Sequence, residues 1–277
     1  MKLKTKMTKF EKTFGISSLL WYVKDDRDIL SKGEFMKAII LCAGYGTRLY
    51  PLTENKPKAL LEVKGKSLID MLVDSLEKIE AIDEIIVVSN DRFYNQFCEW
   101  GTARKKKTPL TILNDFTTSN DNRLGAIGDI KYAIQNLQID DDVFIGSSDM
   151  YFDFEMKDFY DYFIEKDADA ILGEYENDIK VLQRKGVAVL GEDNRIVEIE
   201  EKVQNPKGNF ILTAFYLYKK ESIREIDQYL AEGNNPDAPG HFPAWLCKHK
   251  PVYAMENPGE CVDIGTIDDY NYLNGLK

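Results

Sequence analysis

From residue 36 onward the apolar positions of this chain alternate between short solid runs and helical stripes. Residues 38–42 (AIILC) form an unbroken apolar run ending in glycines, the pattern of a strand buried on both faces and feeding a loop. Over residues 67–79, Leu68, Met71, Leu72, Ser75, Leu76 and Ile79 recur at helical spacing and predict an amphipathic helix. Residues 84–89 (EIIVVS) predict the next buried strand, 92–100 a short helix and 104–107 a solvated basic turn. A strand at 111–113, a helix at 128–137, a buried strand at 143–146, a helix at 157–165 and a strand at 168–172 follow. Strand and helix alternating at this pace predict crossover units and a parallel sheet.

The second half is less regular. Residues 187–190 and 196–199 flank the turn-forming sequence GEDNR and predict a hairpin. Phe210–Tyr218 is a long aromatic strand; 221–230 and 242–248 read as helices around a Gly/Asn/Pro-rich loop, 251–255 as a late strand and 266–273 as a closing helix. The expectation is an α/β fold in one mixed-sheet domain over residues 36–277, its parallel half serving one ligand and its antiparallel portion cupping another. The aromatic residues Tyr160, Phe163, Tyr216 and Tyr218 read as core or sheet face. Residues 1–35 stand apart. Phe10, Phe14, Leu19, Leu20, Trp21 and Val23 define an apolar face interrupted by Gly15, read as an appendage on the main domain or sequence upstream of its start, with a membrane or partner contact as the other reading.

Composition narrows the chemistry. With 44% hydrophobic and 30% charged residues, a chain of 277 residues buries a sizeable core and is not globally disordered. Residues 1–35 carry eight Lys/Arg against five Asp/Glu, a net of +3, and the remainder 28 against 42, a net of −14. That balance argues against a nucleic-acid groove but not against a small phosphorylated substrate held by a few cations and a metal. No run approaches the ~18 apolar residues of a membrane span. Cys42, Cys98, Cys247 and Cys261 are widely spaced and read as free thiols, and two histidines exclude a His-rich metal site. No secretory signal pattern is visible, so a cytoplasmic location is the default expectation.

The most informative stretch is LCAGYGTRLYPLTENKPK, residues 41–58. Gly44 and Gly46 permit a tight path out of a buried strand and let successive N–H groups form an anion nest. Arg48 adds a planar fork for phosphate oxygens and Lys58 a mobile point charge, presented after the stiffening Pro57. The stretch is not a dinucleotide fingerprint, because Leu49 stands where a third glycine is needed. Nor is Gly65-Lys66-Ser67 a P-loop, since its glycine-rich lead is missing.

The segment closely resembles the G-x-G-T-R-L-x-P-x-T-x-x-x-P-K signature of the sugar-1-phosphate nucleotidyltransferases. Gly44, Gly46, Thr47, Arg48, Leu49, Pro51, Thr53, Pro57 and Lys58 match within 15 residues, and the resemblance runs from Lys37 to Leu273. It implies a Rossmann-like nucleotidyltransferase fold with a mostly parallel mixed sheet and a smaller antiparallel sugar-binding portion. It also implies a reaction: a nucleoside triphosphate and a sugar 1-phosphate give a nucleotide-sugar and pyrophosphate. By that match Ala43, Gly44, Gly46, Thr47 and Arg48 hold the triphosphate, with Arg48 near the leaving pyrophosphate and Lys58 at the α-phosphate and incoming phosphate. Asp149, where Ser148-Asp149-Met150 replaces the usual Gly-Asp-Asn, and Asp263 in D-I-G-T are the implied ligands of Mg²⁺. Glu201 is expected at sugar hydroxyls and Lys202 at the sugar phosphate, with Val203 replacing the family's proline, and Gly186 and Thr213 line the same pocket. Asn90 and Gly125 are expected near the base. Asp129 departs from the L-G-T-G/A-G-A pattern and is expected to face away from phosphate or to engage another group.

Such a transfer needs no general base, because the acceptor phosphate is already ionised; positioning and charge neutralisation carry it. The alternatives are a cytidylyltransferase acting on phosphocholine or another non-sugar phosphate, and a non-catalytic nucleotide-sugar-binding domain. The nucleobase, the sugar and whether the chain forms a homo-oligomer are left open by the sequence.

Overall fold

The computed structural model describes residues 35–105 and 107–276. The appendage expected over residues 1–35 therefore falls, but for Phe35, outside the described residues.

The chain runs β1 (Met36–Cys42), α1 (Leu68–Leu76), β2 (Ile82–Ser89), α2 (Tyr94–Ala103), β3 (Leu110–Asn114), α3 (Ala126–Leu137) and β4 (Asp142–Ser147). It continues through β5 (Met150–Phe152), α4 (Met156–Lys166), β6 (Asp169–Tyr175), β7 (Gly186–Leu190), β8 (Ile196–Glu201), β9 (Phe210–Tyr218), α5 (His241–Leu246), β10 (Val252–Glu256), β11 (Cys261–Asp263) and α6 (Ile267–Leu273), with shorter helical turns between. Nine strands form the main sheet along the path β8-β7-β9-β4-β1-β2-β3, with β6 pairing β9 and β10 pairing β6. β4, β1, β2 and β3 are parallel neighbours, and β9 runs antiparallel to β4. The parallel half is the expected one, and the reversal of strand order falls between β1 and β4. In open α/β sheets a crevice opens at such a point, outside the carboxyl ends of the strands.

The apolar run of β1 is explained by what covers it. Ala38 and Ile40 point into a core shared with Leu72 and Leu76 of α1, Phe97 of α2 and Phe159 of α4. Ile39, between them, points the other way into a core with Ile127 and Ile130 of α3, Tyr229 and Phe242. Both faces are dry, so alternation of polar and apolar residues is absent and the strand reads as solid hydrophobe. Ser67 caps α1 by accepting from the Asp70 amide, and Thr266 with Asp269 forms a reciprocal cap at α6.

Two expectations are corrected here. The turn at 104–107 is not simply solvated. Arg104, its side chain 10% exposed, forms ion pairs with Asp70, Asp74 and Glu77, because α1 turns those three acids at helical spacing toward the end of α2. The single helix at 221–230 is instead two short ones, Lys220–Ile223 and Ile226–Ala231. The break lets Ser222, Ile223 and Ile226 all turn inward, with the Ser222 hydroxyl donating to buried Asp169 at 2.6 Å.

Ile39 is fully buried in β1 at the centre of the sheet. Ile39→Ala is expected to lower unfolding free energy by about 2–5 kcal/mol, read from urea denaturation; a loss below about 0.5 kcal/mol would contradict the packing described.

Candidate active site

The glycine loop leaves β1 at Cys42 and closes on itself within a few residues. Gly46 sits at φ 60°, and its carbonyl accepts a 2.6 Å hydrogen bond from the hydroxyl of fully buried Thr53. A Cβ on Gly46 would meet the Thr53 side chain at 3.2 Å, so the loop depends on both the backbone freedom and the missing side chain. Asn90, fully buried, donates to the Ala43 carbonyl at 2.9 Å and accepts from the Phe93 amide at 3.1 Å. The side chain is thereby engaged in holding the loop against β2.

Across the cleft, a three-residue ribbon does what no periodicity announced. β5 and β11 pair antiparallel with Asp263 opposite Met150, and the Ile264 amide donates to the Asp149 carbonyl at 3.0 Å. Asp149 and Asp263, 114 positions apart in the chain, are thus neighbours. The Lys58 ammonium lies between them, 2.8 Å from Asp149 Oδ2 and 3.6 Å from Asp263 Oδ1. Lys185 adds a second cation, donating to Asp263 Oδ2 at 3.1 Å. Burial raises the Asp149 carboxyl, but the Lys58 charge and hydrogen bonds from Lys58 and Ser147 outweigh it and hold the group below the usual carboxylate range. Two carboxylates converging on one cationic centre are a hard-oxygen donor set of the kind Mg²⁺ takes. Among the described residues no cluster of three or more His, Cys, Asp or Glu side chains forms a metal site.

A cleft of about 470 Å³ runs from the glycine loop to Lys58 and Asp149. Ala43, Gly44, Gly46, Thr47, Arg48, Lys58, Gly125 and Asp149 all line it, as do Tyr216 and Pro239. Arg48 is exposed and makes no hydrogen bond or ion pair among the described residues, so its guanidinium is available to a ligand. Gly125 is held at φ 80° against the loop that follows the second short helix. An added Cβ would lie 2.6 Å from the Pro236 carbonyl oxygen, while the amides of Ala126 and Ile127 donate to Asp237 and Pro236.

The remaining expected residues form an adjoining group. Glu201 ends β8 with a carboxylate oxygen close to Gly186 and Gly240, where added Cβ atoms would stand 2.8 and 3.2 Å away. Lys202 pairs with Glu201 at 3.1 Å but is largely exposed. Thr213 is buried in β9, its hydroxyl 3.5 Å from Asn257 Oδ1. Asn90, Gly186, Glu201, Lys202, Thr213 and Asp263 do not line the cleft itself. Lys185 went unnoticed in the sequence; its position just before Gly186 was the available signal.

Of the two expectations for Asp129, facing away or engaging another group, the second holds. It lines the cleft with only 6% exposure, against Asp115, which accepts from the Thr117 amide at 2.7 Å and hydroxyl at 2.8 Å. Burial, then the charge and hydrogen bonding of Asp115, push the Asp129 carboxyl up to about 8. The four cysteines are unpaired, and burial pushes the Cys42 thiol to about 12, out of reach as a nucleophile at neutral pH.

A nucleotidyl transferase family model matches residues 37–275. This chain belongs to that family. It is 29% identical to the UTP–glucose-1-phosphate uridylyltransferase AglF of Haloferax volcanii over 66% of this chain and 72% of that protein. It is 28% identical to the bifunctional protein GlmU of Methanocaldococcus jannaschii over 70% of this chain and 42% of that protein. A Sulfolobus acidocaldarius relative, 27% identical over 86% of this chain, is spanned for 62% of its length. The chain thus covers less than two thirds of several curated relatives. A UDP-glucose pyrophosphorylase solved with UDP-glucose superposes with a TM-score of 0.72 over 87% of this chain and 97% of that one. At 16% identity that likeness establishes the Rossmann-like mixed-sheet fold. No helix among the described residues is long and apolar enough to cross a membrane.

The Asp129 carboxyl keeps its proton in the folded chain over a pH range where the unfolded chain has lost it. Its contribution to stability is full below about pH 4 and is lost as pH rises through about 8. Asp129→Asn is expected to gain stability relative to the wild type between pH 5 and pH 8, by at least about 1.4 kcal/mol, the worth of one pKa unit. Urea unfolding at the two pH values reads it; parallel pH slopes would contradict the protonated state.

Proposed function

We propose that this chain transfers a nucleotidyl group from a nucleoside triphosphate to a sugar 1-phosphate, releasing pyrophosphate. The observation that carries the reading is the Lys58 ammonium held between Asp149 and Asp263 in the cleft of the glycine loop.

In this reading an oxygen of the acceptor's phosphate attacks the α-phosphorus, and the bond from that phosphorus to the departing pyrophosphate breaks. The acceptor arrives ionised, so no side chain needs to remove a proton, and the site's lack of a reactive thiol or histidine is consistent with that. The chain's task is to bring two anions together. Amides of the loop from Gly44 to Arg48 take the triphosphate, and the Arg48 fork, unpaired among the described residues, neutralises charge gathering on the leaving group. Lys58 reaches the α-phosphate and the attacking oxygen. Lys185 and Lys202 sit on the acceptor side, and Glu201, fixed in a slot left by Gly186 and Gly240, accepts from sugar hydroxyls. Thr213 closes the same side. Asn90 and Gly125 act on the nucleoside end, Asn90 by fixing Ala43 and Gly125 by letting the α3 backbone approach.

Asp149 and Asp263 would hold Mg²⁺, which when bound supplies Lewis-acid stabilisation of phosphate charge. The carboxylate pair suits a divalent ion because it already accommodates one cationic centre.

Pyrophosphate release by the full chain with Mg²⁺, each of ATP, GTP, CTP, UTP and dTTP, and a panel of sugar 1-phosphates with phosphocholine tests this directly. Turnover with at least one sugar 1-phosphate is expected; turnover with phosphocholine alone would move the acceptor to a quaternary amine, and none at all would leave a binding domain. Lys58→Ala is expected to cut the rate at least about 100-fold with unchanged far-UV circular dichroism. A near-normal rate would remove Lys58 from its assigned role.

A further inference from the structure

Each oxygen of the Asp149–Asp263 pair already faces a cation or a hydroxyl. Asp149 Oδ2 accepts from the Lys58 ammonium at 2.8 Å, and Asp149 Oδ1 accepts from the Ser147 hydroxyl. Asp263 Oδ1 faces the same ammonium at 3.6 Å, and Asp263 Oδ2 accepts from Lys185 at 3.1 Å. Two carboxylates and two ammoniums make a cluster with no net charge. A divalent ion arriving alone finds no surplus of negative charge to draw it in.

Place is contested as well as charge. Among the described residues Lys58 alone forms ion pairs with both acids. An ion held by both carboxylates stands about 2 Å from an oxygen of each, which is the ground the ammonium holds. The Lys58 side chain is only 14% exposed, so little water screens the repulsion between the two cations.

The ammonium has another partner within reach of the same cleft. Lys58 opens a short helical turn, Lys58–Leu60, in which Ala59 is buried and the Leu61 amide donates to the Lys58 carbonyl at 3.0 Å. The backbone is thereby fixed, while the charge rides on a flexible four-carbon stem. The residue lines one cleft with the loop from Gly44 to Arg48. A triphosphate on that loop offers the ammonium phosphate oxygens and brings the negative charge that the acid–lysine cluster lacks.

We propose that Lys58 and a divalent ion compete for the Asp149–Asp263 pair, so that the chain takes up the ion tightly only together with the triphosphate, whose phosphates draw Lys58 away. The inference rests on the reading that this cleft takes a nucleoside triphosphate with its metal. Lys58 keeps the acid pair closed to a lone cation. Lys185, which pairs with only one of the two acids, lowers the charge of the pair without filling its centre.

Electron paramagnetic resonance of the full chain measures Mn²⁺ binding, first without nucleotide and then with a non-hydrolysable triphosphate analogue. Without nucleotide, Lys58→Met is expected to bind Mn²⁺ at least about tenfold more tightly than the wild type, because both carboxylates are bared. Lys58→Arg keeps the charge and is expected to stay within about threefold of the wild type. Lys185→Met is expected to gain less than Lys58→Met. With the analogue bound, the advantage of Lys58→Met is expected to fall below about threefold, since the wild-type ammonium has then left the pair. A lysine that merely held the fold together would weaken the ion on removal, not tighten it. Should Lys58→Met fail to fold by far-UV circular dichroism, Lys58→Gln takes its place.

Unchanged or weaker Mn²⁺ binding by nucleotide-free Lys58→Met would overturn the competition. So would a gain of equal size in Lys58→Arg or Lys185→Met, an advantage that persists undiminished with the analogue, or no binding of the analogue by the wild type. The expected pattern without pyrophosphate release would refute the transferase reading and leave the competition standing. Pyrophosphate release by the wild type with no tightening in Lys58→Met would do the reverse.

Discussion

The ammonium of Lys58, held between carboxylates from two distant strand ends, is the interaction on which the site depends. Asp149 follows β4, and Asp263 ends β11, which reaches it only by pairing with β5. Brought together without a cation, two carboxylates repel, and one would take up a proton as buried acid pairs do. With Lys58 in place, and Lys185 on the far side of Asp263, charges alternate along the chain Asp149, Lys58, Asp263, Lys185. Both acids stay a third exposed, so the arrangement is open to ligands rather than sealed as a core ion pair.

In the proposed transfer a molecule with a net charge of −14 outside its first 35 residues has to bring together two anionic substrates, and the resolution is local. Elsewhere many lysines and arginines are paired with surface acids, as Arg104 is with α1. In the cleft, Arg48 is left without a partner among the described residues, beside the backbone of the glycine loop. The rigid parts behind them matter as much. Thr53 ties the Gly46 carbonyl, Asn90 ties Ala43, and the double-sided burial of β1 keeps the loop's origin fixed. At the opposite wall Asp129 and Asp115 solve like-charge contact differently, by sharing a proton.

Much of the fold was legible because long elements leave periodic traces. The run AIILC marked β1, the stripe Leu68 to Leu76 marked α1, and Phe210–Tyr218 was read to its ends. The ribbon of β5 and β11 was not legible, since three residues carry no period and its pairing spans more than a hundred positions. Arg104 was misread for a related reason: its partners lie on another helix. At the site, residue type and spacing marked the glycine loop, which lines the cleft. The convergence of Asp149 and Asp263 was available only through family resemblance, and the roles of Lys185 and Asp129 only through contacts in space. A protonated aspartate in particular has no sequence signature, because its cause is a neighbour brought in by folding.

The proposal that Asp149 and Asp263 together hold one divalent cation beside the glycine loop is tested most directly with Mn²⁺ in place of Mg²⁺. Electron paramagnetic resonance of the full chain with a non-hydrolysable triphosphate analogue counts bound Mn²⁺ without relying on turnover. The account predicts one tightly bound ion per chain, lost on changing either Asp149 or Asp263 to Asn. Retention of that ion at wild-type affinity in either variant would contradict it.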